Sequence, residues 1–309
     1  MASRPMRVRL VKGRFASSAA RGLSGRGHSM SPVIDAHLHV WDSSAAGKDS
    51  GPFPVGYSPQ SQAAVELLLD YMEEARVERA VFVQPWFHHW DNSYIASCLQ
   101  RFPDRFRGVC VIDPRGPAAP AVLRQWRTRG FTGIRLRPLR EGEDSRPGPW
   151  LATEETIPLW EAIAETDTIA CVMHGKTELR RLHPILTQFP SMRVVIDHLN
   201  NPVPQDGVAQ PIFQALLDLA RFPNVFVKVS GFHHWCTDRY PYRSALPYVE
   251  AAVDAFGAER CMWGSDFPHV LAGCGYVRNR NLLPREARFL AANQLDQIMG
   301  GTAERLWFT

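Results

Sequence analysis

VIDAHLHVW, residues Val33 to Trp41, sets two histidines two positions apart inside an otherwise apolar run. The run follows a break at Ser31 and Pro32 and ends in a loop rich in Gly, Ser and Pro, so it reads as one short buried strand. Side chains alternate faces along a strand, which places His37 and His39 on one face together with Asp35, and Leu38 and Val40 on the other. Two imidazoles on one face can share one ion or one proton. The pair alone fits two structural histidines equally well, and the rest of the chain has to decide.

Outward from this stretch, seven more short apolar runs follow: RAVFVQP (79–85), FRGVCVID (106–113), FTGIRLRP (131–138), TIACVMHG (168–175), RVVIDHL (193–199), NVFVKVSG (224–231) and RCMWGSDFP (260–268). Helical patterns are expected at 62–75, 92–101, 118–129, 154–165, 177–188, 210–220, 244–255 and 284–299. Short strands buried on both faces and followed by helices build a parallel sheet with right-handed crossovers. Eight such units in about 280 residues predict a single-domain (β/α)8 TIM barrel over residues 31–309. An open doubly wound sheet would carry a Gly-rich phosphate loop after its first strand, and none follows Trp41. The long loops, 42–61 and 139–153, both follow strands, the end of a barrel that carries active sites.

The composition is that of an ordinary globular protein, and no apolar run is long enough to span a membrane. The net charge of +4 hides a segregation: residues 1–34 hold seven Lys or Arg and no acid. The remaining 28 basic and 31 acidic residues leave a body near −3, which removes the argument for a nucleic-acid partner. The leader 1–30, basic and rich in Ser, Ala and Gly, fits a disordered tail or a transit peptide; the second reading places the protein in a mitochondrion or plastid, the first in the cytoplasm. The six cysteines show no CxxC spacing and read as buried thiols.

Barrel enzymes draw their chemistry from the C-terminal strand ends. The first strand offers His37 and His39; the second Gln84, Trp86 and His88; the fourth Arg135 and Arg137; the fifth His174; the sixth Asp197 and His198; the seventh Lys228 and then His233 and His234; the eighth Asp266, followed by His269. His37, His39, His174, His198 and Asp266 converge on the barrel axis in this arrangement. Imidazoles with a carboxylate suit one divalent ion, Zn²⁺ or Mn²⁺, and Asp266 is the natural general base toward a water. Without a metal, protonated histidines and Arg135 would polarise the carbonyl, which favours an activated ester over an amide.

Arg135 and Arg137 share a face and need partners inside a barrel: a substrate carboxylate, or an acid such as Asp35. WFHHW (86–90) and FHHW (232–235) place Trp and His in two mouth loops, as a substrate wall or as loop packing. The substrate-binding candidates are therefore Arg135, Arg137, Gln84, Trp86, His88, His233 and His198. Asp197 reads as a supporting residue, Lys228 as a lysine snorkelling out of the core, and Arg180 as surface.

HLH on the first strand, VMHG on the fifth, VIDHL on the sixth and WGSDFP on the eighth resemble the amidohydrolase superfamily, most closely the amidohydrolase-related branch that includes sugar-lactone and pyrone-dicarboxylate lactonases. The resemblance runs from about residue 32 to the C-terminus. It implies a metal set of His37, His39, His174 and Asp266 with His198 beside it, catalysis by Asp266 with His174, His37 and His39, and a small-molecule substrate. Arg135 stands where the two-metal members have a bridging lysine, which implies one metal ion or none. Hydrolysis of a lactone-like cyclic ester is the expected reaction. Decarboxylation of an aromatic or muconate-like acid, and a barrel that only binds a ligand, are the alternatives.

Overall fold

The computed structural model describes residues 31–42, 63–139, 149–173 and 176–309. The leader 1–30, most of the loop 42–61, the middle of the loop 139–153 and His174 lie outside the described residues.

All eight expected strands form: β1 Ile34–Leu38, β2 Arg79–Val83, β3 Phe106–Cys110, β4 Phe131–Leu136, β5 Ile169–Val172, β6 Val194–Ile196, β7 Val225–Val229 and β8 Cys261–Trp263. They pair in chain order, every pair parallel. Helices follow as the 3.6 periodicity requires: α1 Val65–Ala75, α2 Ser93–Arg101, α3 Ala119–Thr128, α4 Ile157–Glu165, α5 Leu182–Gln188, α6 Pro211–Leu217, a single turn α7 Phe232–Trp235, and α8 Leu246–Phe256. This is a (β/α)8 barrel. Ile34, Val81, Val83, Val109, Val195 and Met262 fill its interior, and Leu306 and Trp307 from the C-terminal segment pack against them. A second apolar layer, including Leu38, Phe82, Ile134 and Ile196, seals sheet against helices. Cys98, Cys110, Cys171, Cys261 and Cys274 are buried free thiols and Cys236 is half-buried, as expected.

Two features depart from the sequence reading. The pattern 284–299 is not one helix. After α9 His269–Gly273 and α10 Tyr276–Arg280, which fall outside the expected helical patterns, come α11 Leu282–Glu286 and α12 Ala292–Asp296, separated by a break. The Gln294 side chain accepts from the Ala291 N–H at 2.9 Å and restarts the helix there, while Ser31 donates to Asp296 from its N–H at 2.9 Å and its hydroxyl at 2.7 Å. The chain end is thereby tied to the start of β1 before it reaches the barrel interior.

The second departure is in β1. Asp35 pairs with Ala80 and Leu38 with Phe82, so β1 carries one extra residue between them. This bulge turns both Ala36 and His37 inward, and it ends the expected sharing of a face by Asp35 and His37. Asp35 instead points away from the mouth and accepts from Tyr276 Oη on α10 at 2.9 Å and from the Ser265 N–H at 2.9 Å. The β8–β1 seam is closed just above the strands by two backbone bonds, His39 N–H to Phe267 O at 2.7 Å and Asp266 N–H to His37 O at 2.8 Å. Gly264 makes this approach feasible, since a Cβ there would lie 2.8 Å from His37 Cβ.

Candidate active site

Asp266 follows β8 at a positive φ of 61°, a conformation that costs a non-glycine residue about 1–2 kcal/mol and that the two seam bonds hold in place. Its side chain is the hub of the mouth. Oδ1 lies 3.2 Å from His39 Nε2 and 3.7 Å from His37 Nε2. Oδ2 lies 2.8 Å from His234 Nε2 and 3.3 Å from His233 Nε2. The two oxygens thus face two different pairs of imidazoles.

His39 Nδ1 sits 2.7 Å from the Val83 carbonyl, which can only accept. The Nδ1 proton is fixed by that bond, so in the neutral ring Nε2 turns a lone pair toward the Asp266 carboxylate. Two acceptors 3.2 Å apart require a proton or a cation between them. His37 Nε2, fully buried, has no hydrogen-bond partner among the described residues. These residues therefore fit a divalent ion: tetrahedral ligands at about 2.0–2.1 Å from zinc are themselves ~3.3 Å apart. His37, His198 and Asp266 also bring ligand atoms within 4.8 Å of one another, as do His39, Asp266 and His269.

Beneath this ring lies a buried charge cluster. Asp197 Oδ1 is 3.0 Å from Lys228 Nζ and 3.3 Å from His37 Nδ1, and its Oδ2 accepts from Arg135 Nε at 3.3 Å. Lys228 also lies 3.1 Å from His37 Nδ1. Lys228 is fully buried and does not snorkel to solvent, which corrects the sequence reading; its charge is met by Asp197 inside the barrel. The partner of Arg135 is likewise Asp197, not Asp35.

Electrostatics follow from burial and these partners. Burial alone would raise Asp197 and Asp266. For Asp197 the charge of Lys228, with the His37 ring and Arg135 beside it, outweighs burial, and for Asp266 the imidazoles of His198, His233, His234 and His39 do, holding both well below the usual carboxylate range. Burial and the Lys228 charge depress His37, and burial brings His198 and His269 down to about 3, so these rings are neutral at pH 7. His198 is presented by a run of four left-handed residues, His198 to Asn201, and its Nδ1 is 2.9 Å from Ser230 Oγ.

The structure brings His37, His39, His198, His233 and Asp266 together. Gln84 and His88 line a cavity of about 260 Å³ with Trp41, Asp42, Asp91 and Tyr94, and Trp86 lies beside Phe87 in the adjoining turn. Arg137 lies 5.6 Å from the Trp90 ring. Arg180 pairs at the surface with Asp218 at 3.5 Å. His234 and His269 join the ring around Asp266, although the sequence reading did not select them as site residues; the signals available were a second histidine in FHHW and the Asp-x-x-His spacing after β8.

A parallel barrel with histidines gathered on one carboxylate at its C-terminal mouth is the architecture of a barrel hydrolase. A family model described as Amidohydrolase matches residues 34–309, and the chain belongs to that family. Among its relatives, L-fucono-1,5-lactonase of Burkholderia ambifaria is 31% identical over 245 residues, covering 76% of this chain and 80% of that protein. 4-Sulfomuconolactone hydrolase of Rhizobium radiobacter is 29% identical over 235 residues, covering 76% and 75%. A solved structure described as a putative 2-pyrone-4,6-dicarboxylic acid hydrolase from Pseudomonas putida has a TM-score of 0.75 and 27% identity, covering 89% of this chain and 97% of that one.

Proposed function

We propose that the protein hydrolyses a lactone-like cyclic ester, carboxylated or sugar-derived, with Asp266 as general base and acid. The observation that carries this reading is the buried Asp266 carboxylate 3.2 Å from the lone-pair nitrogen of His39 and 3.7 Å from the Nε2 of His37, which no donor or acceptor among the described residues meets. His37, His39 and Asp266 are the residues that would hold one divalent ion, zinc or manganese, and His174 is the further candidate the sequence supplies. Such an ion supplies Lewis acidity and lowers the pKa of a water toward about 7.

The chain's own groups do the rest. Asp266 takes the water proton at a carboxylate oxygen and returns it to the ring oxygen that leaves. His198, which brings a ring nitrogen within 4.8 Å of ligand atoms of His37 and Asp266, would face the carbonyl, and Arg137 is the cation that would meet a substrate carboxylate. The relatives named for lactone substrates support the substrate class.

The test is a panel of sugar lactones and carboxylated lactones with product mass measured for the wild type and Asp266→Asn. A product heavier by one water, and a fall in kcat of about 10²–10⁴ in the variant, are expected. A product lighter by one carbon dioxide, or turnover untouched by the substitution, overturns the reading.

A further inference from the structure

We propose a second, solvent-side divalent-cation site formed by Asp266 Oδ2 and the Nε2 atoms of His233 and His234, whose filling takes the general base out of action. It rests on the assignment of Asp266 as that base.

The two oxygens of Asp266 are divided between two pairs of histidines, and only the Oδ1 pair is used in the reaction above. On the other side, His234 Nε2 is 2.8 Å and His233 Nε2 3.3 Å from Oδ2, and the three ligand atoms lie within 4.8 Å of one another. The His233 side chain is only 6% exposed, its Nε2 faces Oδ2 at 3.3 Å without hydrogen-bond geometry, and its Nδ1 has no hydrogen-bond partner among the described residues. A buried imidazole so poorly satisfied is costly, and beside the half-exposed His234 on the same oxygen it points to a ligand.

The pair is held in place before any ion arrives. Gly231 in the left-handed region starts the turn, its carbonyl accepts from the His234 N–H at 2.8 Å, and Trp235 Nε1 donates to the Ser230 carbonyl at 3.2 Å. Phe232 packs against Trp235, with ring centroids 5.6 Å apart, and anchors α7 from beneath. His234 is 46% exposed, so the site opens to solvent and leaves coordination positions for water. Two imidazoles and a carboxylate select zinc, cobalt or nickel over magnesium or calcium. The site is distinct from a lysine-bridged pair on β4, where Arg135 stands four strands away from β8.

An ion here ligates Oδ2 and blocks proton uptake by Asp266, so excess zinc inhibits where excess magnesium does not. The experiment uses the full chain, stripped by chelation and titrated with Zn²⁺, with bound metal measured at each free concentration and Co²⁺ absorbance as a second readout. Two equivalents are expected, the second weaker; turnover rises with the first and falls with the second. His234→Gln and His233→Gln keep the first equivalent, lose the second, and move inhibition to zinc at least about 10-fold higher, the scale on which even an indirect partner of a ligand acts. Circular dichroism melts check the fold of the variants, and the two-step cobalt titration of the wild type decides the matter without them. One equivalent with no zinc inhibition, or inhibition unchanged in both variants, overturns this site alone. No bound metal at all overturns both this site and the inner ion.

Discussion

Asp197→Asn is expected to be far more damaging than removal of either cation it holds. Lys228 Nζ and Asp197 Oδ1 are 3.0 Å apart with both side chains 0% exposed. At an effective dielectric near 20 their attraction is about 5–6 kcal/mol, offset by a desolvation penalty of several kcal/mol for each ion. The intact cluster is therefore close to neutral for stability, and breaking it is what costs. Lys228→Met leaves Asp197 with Arg135 at 3.3 Å and His37 at 3.3 Å, so the loss falls at about 2–3 kcal/mol. Asp197→Asn strands Lys228 and Arg135 together, which raises it to about 5 kcal/mol. It also removes the carboxylate 3.3 Å from His37 Nδ1 and leaves only the Lys228 ammonium there, so zinc affinity falls about 10- to 100-fold. Urea unfolding of the metal-free proteins at pH 7, followed by zinc titration, measures both. An Asp197→Asn loss below about 1 kcal/mol, or smaller than that of Lys228→Met, refutes the argument.

Acid should destabilise the metal-free protein. His198 and His269, held at about 3 in the fold against an ordinary 6.5, take up protons only on unfolding in that window. Stability is present above 6.5 and is lost as pH falls, by up to about 1.4 kcal/mol per pH unit for each ring, readable in thermal melts from pH 7 to 4. Asp35 works the other way: burial raises it from 3.8 to about 6, so its contribution is complete below 3.8 and lost as pH rises through 6. Asp35→Asn should therefore steepen the acid loss. Gly231→Ala places a Cβ 2.7 Å from His198 Nδ1 at a φ of 71°; about 1–2 kcal/mol of backbone strain and a displaced His198 are expected, checked by melting temperature and kcat.

The barrel was readable because its evidence is periodic. Eight apolar runs alternating with amphipathic ones leave little freedom of topology, and all eight strands appear where they were expected. The HLH pair was readable as a pair but not in its setting. Strict alternation put Asp35 beside His37, whereas the β1 bulge, which no residue pattern announces, sends Asp35 outward and His37 inward. Charge partners were hidden for another reason. Asp197, Lys228 and Arg135 lie on three different strands, and nothing local in VIDHL or VFVKVSG says that their heads meet. The segment 284–299 misled because the 3.6 period persists across a break set by the Gln294 side chain capping Ala291 and by the Asp296 bonds to Ser31, one of them contributed by a residue far away in sequence.

The most direct test of a metal-assisted lactone hydrolase is the metal content of the purified full chain, measured with turnover on a lactone panel before chelation, after it, and after zinc or manganese is restored. One tightly held equivalent, with turnover lost on chelation and regained on restoring the ion, is the predicted result. Lactone turnover that persists without metal would contradict the account and move carbonyl activation to the imidazoles and Arg135.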